Sequence, residues 1–334
     1  MREFLLVICS IALTAVCWGV YGPIMRNGQA AMSGSHLLPF VWVGLAYCVI
    51  AVVVPGVLMR LWGEKGSWTA SGFLWSFVAG VAGALGALGI ILAFTFGGSP
   101  VYVMPLVFGG APVVNTFTSM YMSKSYKNAS PLFYAGLILV VVGALCVLFF
   151  KPTDTSAAAG GAGIVKHAVK MLEVGLSIGL TVLSWGVYGP ILHKGQMLMQ
   201  GSRLRPLICV GLAYFAVAVV ATAGIIQVLK GSAEWDLMTT KGSIWSFAGG
   251  AAGAVGALGI ILAFTFGGKP TYVMPLVFGG APVINTLVTI GPGVANGTIS
   301  EISPLFFAGL IIVIAGAATV LVFAPKGAPH APAR

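Results

Sequence analysis

The sequence predicts an all-α integral membrane protein of ten transmembrane helices arranged as two inverted five-helix repeats. Three observations predict it. Charged residues make up 7% of the 334 positions against 58% apolar, and mean hydropathy is +1.02, so the chain cannot present an ordinary polar surface to water. Ten apolar runs approach the about 20 residues that a spanning helix needs. Finally, Trp75 to Thr116 reads WSFVAGVAGALGALGIILAFTFGGSPVYVMPLVFGGAPVVNT and returns 170 positions later as Trp245 to Thr286, with 35 of 42 residues identical.

The runs lie at roughly 4–24, 38–60, 73–96, 100–121, 130–150, 172–192, 205–229, 243–266, 270–291 and 303–323. None shows the in/out alternation of a membrane barrel strand. The first run follows a lone Arg2, as a cleaved leader would. Its far end, Trp18-Gly-Val-Tyr-Gly-Pro23, recurs mid-chain as Trp185-Gly-Val-Tyr-Gly-Pro190, so it reads as a retained helix. In each copy Trp and Tyr stand three apart on one face (Trp18 and Tyr21, Trp185 and Tyr188), with Gly-Pro bending the helix beyond. Such residues either anchor a helix at the interface or line a pocket. Arg26 and His193 follow at equivalent positions, then Gln29 and Gln196. Arg26 reads as a snorkelling side chain. His193 is the near-membrane group whose ordinary pKa is closest to neutral.

In the second and seventh runs, Pro39 and Gly44-Leu-Ala-Tyr47 match Pro206 and Gly211-Leu-Ala-Tyr214. The third and eighth carry a glycine every third residue, Gly80 to Gly89 and Gly250 to Gly259, a smooth stripe suited to close packing or sliding. Tight Gly-Gly turns follow, with Thr95 and Thr265 nearby.

The fourth and ninth runs are interrupted. Pro105 and Pro112 lack an N–H, so the carbonyls of Val101 and Phe108 lose helical partners, and Gly109-Gly110 between them eases bending. Pro275, Gly279-Gly280 and Pro282 repeat the pattern. Freed carbonyls at membrane depth are tolerated only against protein or a wet cavity, and paired interrupted segments point to a transported-substrate site. At about 100° per residue, Met104, Phe108 and Asn115 share one face with Pro112 beside them. Met274, Phe278 and Asn285 share the other with Pro282. The alternative is that the prolines only bend helices for packing and the asparagines only cross-link neighbours. Against it, the second and seventh runs have diverged freely while these have barely changed.

Five is odd, so the second repeat enters the membrane from the side opposite the first. The organisation is residues 1–150 as the first repeat, 151–170 as an extracytoplasmic linker, 171–325 as the second repeat and 326–334 as a cytoplasmic tail. Strict alternation places 11 of the 17 Lys and Arg on the side holding both termini, which the positive-inside rule makes cytoplasmic. The formal charge of +10 then reads as anchoring to the lipid bilayer, with no nucleic-acid module. The five cysteines show neither CxxC spacing nor a His/Cys cluster, so no metal, cofactor or disulfide is expected.

All seven acids (Glu3, Glu64, Asp154, Glu173, Glu234, Asp236, Glu301) lie in loops or at ends. Membrane proton and cation sites ordinarily use buried carboxylates, so a neutral-polar or anionic small-molecule substrate is expected. No Walker A sequence, HExxH or GxSxG is present, and the chain does not read as an enzyme.

Ten helices in two inverted repeats with short loops resemble the drug/metabolite transporter superfamily over the whole chain. The fifth run, Ala135-Gly-Leu-Ile-Leu-Val-Val-Val-Gly143, and the tenth, Ala308-Gly-Leu-Ile-Ile-Val-Ile-Ala-Gly316, are similar to the closing helix of its EamA-type repeat. The glutamate that usually ends the fourth EamA helix is missing, since that region reads Ser119-Met-Tyr-Met-Ser-Lys124. The Gly-rich third run is more like the superfamily's glucose/ribose and rhamnose porters, which favours a sugar-like substrate. The resemblance implies a permease of the cytoplasmic (inner) membrane working by alternating access. It implies a cavity lined by Trp18, Tyr21, Tyr102, Met104, Phe108 and Asn115 with Trp185, Tyr188, Tyr272, Met274, Phe278 and Asn285. It also implies a homodimer through the fifth and tenth helices, with Gly136, Gly143, Gly309 and Gly316 in contact. The competing expectation is a structural or accessory subunit of a larger membrane complex.

Overall fold

The structure, a computed structural model, describes residues 2–124, 130–150, 161–266, 270–295 and 302–323. Among these, the regular structure is helical. Helix α1 is Arg2–Ala30. Helix α2 runs as Leu37–Tyr47, a π-helical stretch Cys48–Val53 and Val54–Trp62. Then come α3 (Ala70–Thr95), α4 (Pro100–Ser123), α5 (Pro131–Phe149) and α6 (Gly161–Leu198). Helix α7 is Leu204–Tyr214, continued by π-helical Phe215–Ala221, the turn Thr222–Ile225 and π-helical Ile226–Lys230. The single turn Ser232–Trp235 leads to α8 (Thr240–Thr265), α9 (Pro270–Ala295) and α10 (Pro304–Phe323).

Seven of these helices are long and apolar enough to cross a membrane, and shorter apolar stretches lie at Pro131–Val147, Leu276–Gly291 and Pro304–Val320. The outside is apolar as well: Leu61, Ile138, Leu172, Leu183, Ile244, Leu287 and Ile311 are each at least 60% exposed. A water-soluble protein does not display such a surface. The chain is a multi-pass helical membrane protein. The stretch expected as a linker is partly helical, because α6 begins at Gly161. The tail from 326 lies outside the described residues.

Helix starts follow local chemistry. The Thr69 hydroxyl accepts from the Gly72 N–H at 3.0 Å and donates to the Leu198 carbonyl at 3.0 Å, tying the start of α3 to the end of α6. Thr239 repeats this, accepting from Gly242 N–H at 3.0 Å and donating to Ala31 at 2.8 Å, which ties α8 to the end of α1. Ser99 and Ser130 cap α4 and α5, each followed by proline, the residue best suited to a first helical turn.

Packing crosses between the sequence halves: α1 lies against α8 and α9, and α6 against α3 and α4. Helices α2 and α7 meet where Gly44 faces Ala218 and Val219, and Gly211 faces Ala51 and Val52. The glycine stripes are contact surfaces. Along α3, Gly80 faces Val210 and Ala213, Gly83 faces Tyr214, Gly86 faces Trp185 and Gly89 faces Thr181. Along α8, Gly250, Gly253, Gly256 and Gly259 face Val43, Tyr47, Trp18 and Thr14.

Candidate functional site

The indoles at the centre are placed by these stripes. Trp18 donates its Nε1–H to the Gly253 carbonyl at 3.3 Å, and Trp185 donates to Gly83 at 3.1 Å. One turn away, the Thr14 and Thr181 hydroxyls donate to Gly256 and Gly86, each at 3.0 Å. A Cβ on Gly86 or Gly256 would collide with the indole laid across it, so absent side chains let each tryptophan lie flat on the neighbouring helix.

Above these rings is a cavity of about 200 Å³. Its deep wall is aromatic: Trp18, Tyr21, Tyr47, Trp185, Tyr188, Tyr214 and Phe278. Its mouth carries Asn115, Ser119, His193 and Gln196. Ser119 and His193 are exposed and Tyr21, Tyr47, Tyr214 and Phe278 are buried, so the cavity opens where α6 ends. Among the described lining residues no Asp, Glu, Lys or Arg appears. The Tyr21 hydroxyl is buried and without a partner. The floor is Trp18, Phe108, Trp185 and Phe278, whose ring centroids lie 6.3–6.4 Å apart in the contacts between them.

The opposite end is sealed. Asn285, fully buried, donates its side-chain N–H to the Pro100 carbonyl at 2.8 Å. Gly22 packs against Met104 and Asn285. Beyond them, Arg26 donates to Gly98 at 2.5 Å and Phe94 at 3.4 Å, while Gln29 donates to the Thr95 hydroxyl at 2.6 Å and the Ile91 carbonyl at 3.2 Å. Arg26, half-buried, is thus hydrogen-bonded to carbonyls where α3 ends and in the turn that follows.

Seven predicted residues therefore meet at one cavity: Trp18, Tyr21, Asn115, Trp185, Tyr188, His193 and Phe278. Four do not line it. Phe108 lies within the floor, and Tyr102, Met104 and Asn285 are buried in the protein. The side chains of Tyr272 and Met274 lie outside the described residues. Tyr47 and Tyr214 were not expected at the site. Their rings stack at 3.6 Å with planes 1° apart, and each is the last residue before a π-helical stretch. The one available signal was the repeated Gly-Leu-Ala-Tyr in runs that otherwise diverged.

The prolines do not interrupt their helices: α4 is continuous through Pro105 and Pro112, and α9 through Pro275 and Pro282. The glycine pairs make room for neighbours, with Gly109 against Val313, Gly110 against Val182, Gly279 against Ile314 and Gly280 against Ala15. Gly136, Gly143, Gly309 and Gly316 are contact positions too. Their contact is α5 on α10 within one chain, Gly136 against Val320 and Gly316 against Val140, so these glycines are not open to a second copy.

Two loop carboxylates do more than solvate the surface. Glu64 accepts from the Arg203 and Leu204 N–H groups at 2.6 and 2.8 Å, capping α7 from another loop, and pairs with Arg205 at 3.1 Å. At the other end, Glu234 accepts from Ser35 at 2.5 Å beside the start of α2. Burial pulls the neighbouring His36 imidazole below its ordinary value, Glu234 opposes this and Lys230 adds to it.

No protein-family model matches the chain, and no curated protein matches it. Solved structures do: 15 chains are similar. One, a crystal structure 16% identical in sequence, superposes with a TM-score of 0.53 over 97% of this chain and 99% of its own. At that identity the similarity concerns the fold, which is shared along nearly the full length of both chains.

Proposed function

We propose that this chain is a membrane permease of the drug/metabolite transporter type, moving a small solute of no net charge by alternating access between two inverted five-helix repeats. The observation that carries the reading is the pairing of an open mouth with a sealed end made of sequence-equivalent residues. Asn115, His193 and Gln196 line the mouth, while their equivalents Asn285, Arg26 and Gln29 close the other end. An exchange of these roles would open the far end and shut the near one. With the termini on the cytoplasmic side, as the Lys and Arg distribution supports, the cavity opens inward. Helices α5, α9 and α10, at 19, 26 and 20 residues, would complete ten spans.

One observation favours the accessory-subunit reading, namely that Phe108 and Phe278 pack together at the centre. A cavity reaching from exposed His193 to buried Tyr21 weighs against it, since a merely structural bundle has no need to keep that space. Reconstitution in liposomes with labelled sugars, amino acids, nucleosides and betaines tests the proposal. Uptake of one of these is expected, and it should be lost in the Asn115→Ala plus Asn285→Ala double variant. Unchanged uptake in that variant would remove both asparagines from the mechanism, and co-purification with a fixed partner without any uptake would favour the accessory role.

A further inference from the structure

The chemistry of the cavity changes along its length, and this narrows the substrate class. We infer that the site takes a small zwitterion whose methylated ammonium lies among the aromatic rings and whose carboxylate faces the mouth. As a transported substrate it rests on the permease reading; as a bound ligand it stands alone.

Seven aromatic side chains line the deep part, with no Asp, Glu, Lys or Arg among the described lining residues. Both indole N–H groups are already donated to Gly253 and Gly83, so the tryptophans offer a solute ring surface and no hydrogen bond. Phenol hydroxyls are the polar atoms of that wall, and they present oxygen without a formal charge. A sugar would bring a hydroxyl on nearly every carbon into this carbon-rich space, and hydroxyls facing carbon lose their water without replacement. A trimethylammonium group has no hydrogen-bonding atom to satisfy and is attracted by ring faces.

The mouth is the reverse. Asn115 and Gln196 carry amide donors, Ser119 a hydroxyl and His193 an imidazole, a set suited to a carboxylate. An isolated cation would lie in the membrane interior without a counter-charge, which is expensive. A zwitterion brings its own, and its net charge of zero agrees with the uncharged walls.

The test is titration calorimetry on the purified full-length protein with four probes: glycine betaine, unmethylated glycine, 3,3-dimethylbutyrate and glucose. The butyrate has the shape of betaine with carbon in place of the ammonium nitrogen. Betaine is expected to bind at least tenfold more tightly than glycine or the butyrate. Trp18→Leu or Trp185→Leu should weaken it by a further tenfold, and the wild-type probe series is decisive if those variants fold poorly. Equal affinity for the butyrate, tighter binding of glucose, or no betaine binding overturns the inference. Proteoliposome uptake separates the two readings. Betaine bound and never carried across would defeat the permease while leaving the ligand class intact. Glucose bound and carried across would do the opposite.

Discussion

Asn115 and Asn285 occupy equivalent places in nearly identical segments, yet one borders a cavity and the other is sealed against a proline carbonyl. The residues around them differ in the same sense. Gln29 is buried and hydrogen-bonded to Gly34, Ile91 and Thr95, whereas Gln196 lines the mouth. Near the centre the two halves match bond for bond: each tryptophan donates to a glycine carbonyl, and each threonine does the same one turn away. The molecule is therefore symmetric where it is held together and asymmetric where it opens.

The largest expected effect tests the symmetric part. Gly86→Leu and Gly256→Leu each drive a side chain into an indole, and overpacking of this kind costs about 1–3 kcal/mol or more. Both should lower the thermal unfolding midpoint in detergent by similar amounts. A large loss in only one would break the equivalence of the central contacts.

Next comes the asymmetric pair. Asn285→Ala removes the buried hydrogen bond to the Pro100 carbonyl together with an amide oxygen that has no partner, for about 1 kcal/mol of stability. Asn115→Ala, at the cavity wall, should cost about 0.5 kcal/mol or less. Equal losses by thermal unfolding would mean that the two ends are not in different states.

The loop carboxylates run across that contrast, with Glu64 in the loop beside the mouth and Glu234 beside the sealed end. Glu64 satisfies two backbone donors and an arginine, so Glu64→Gln should destabilise by about 1–2 kcal/mol, and Glu234→Gln by less. Thermal unfolding of the two variants in the same detergent orders them, and a larger loss from Glu234→Gln would mean that the loop at the sealed end is held more firmly than the loop at the mouth.

The smallest effect is in pH. His36 has a folded pKa below its ordinary value of 6.5, so below about pH 6.5 the unfolded chain binds its proton more readily than the folded one. Its contribution is present above that pH and is lost as pH falls through 6.5 toward the lower folded value. Stability measured from pH 7.5 to 5 should decline on the acid side, and His36→Gln should flatten part of the decline. An identical profile in the variant would assign the acid sensitivity to other groups.

Much of the fold was legible before any coordinates. Composition required a membrane, the apolar runs located the helices, and the repeated Trp-Gly-Val-Tyr segments located both tryptophans of the floor. Of the residues the helix wheel put on shared faces, Asn115 and Phe278 line the cavity and Met104 does not, because a helix face is a direction and the neighbour it meets depends on packing. The partners of Arg26 were not legible for a related reason. Its guanidinium has backbone acceptors at Phe94 and Gly98, supplied by a turn 68 and 72 positions away, which no local pattern announces.

By itself the sequence determined the class of solvent, the helical period and the paired design, since each follows from residue type and spacing. Only the tertiary structure decided that Tyr47 and Tyr214 stack against one another, that the glycines of α5 and α10 serve a contact within one chain, and which asparagine faces the cavity. The physical reason is that two segments sharing 35 of 42 residues carry nearly the same local instructions. Their different fates are a property of the packed state as a whole.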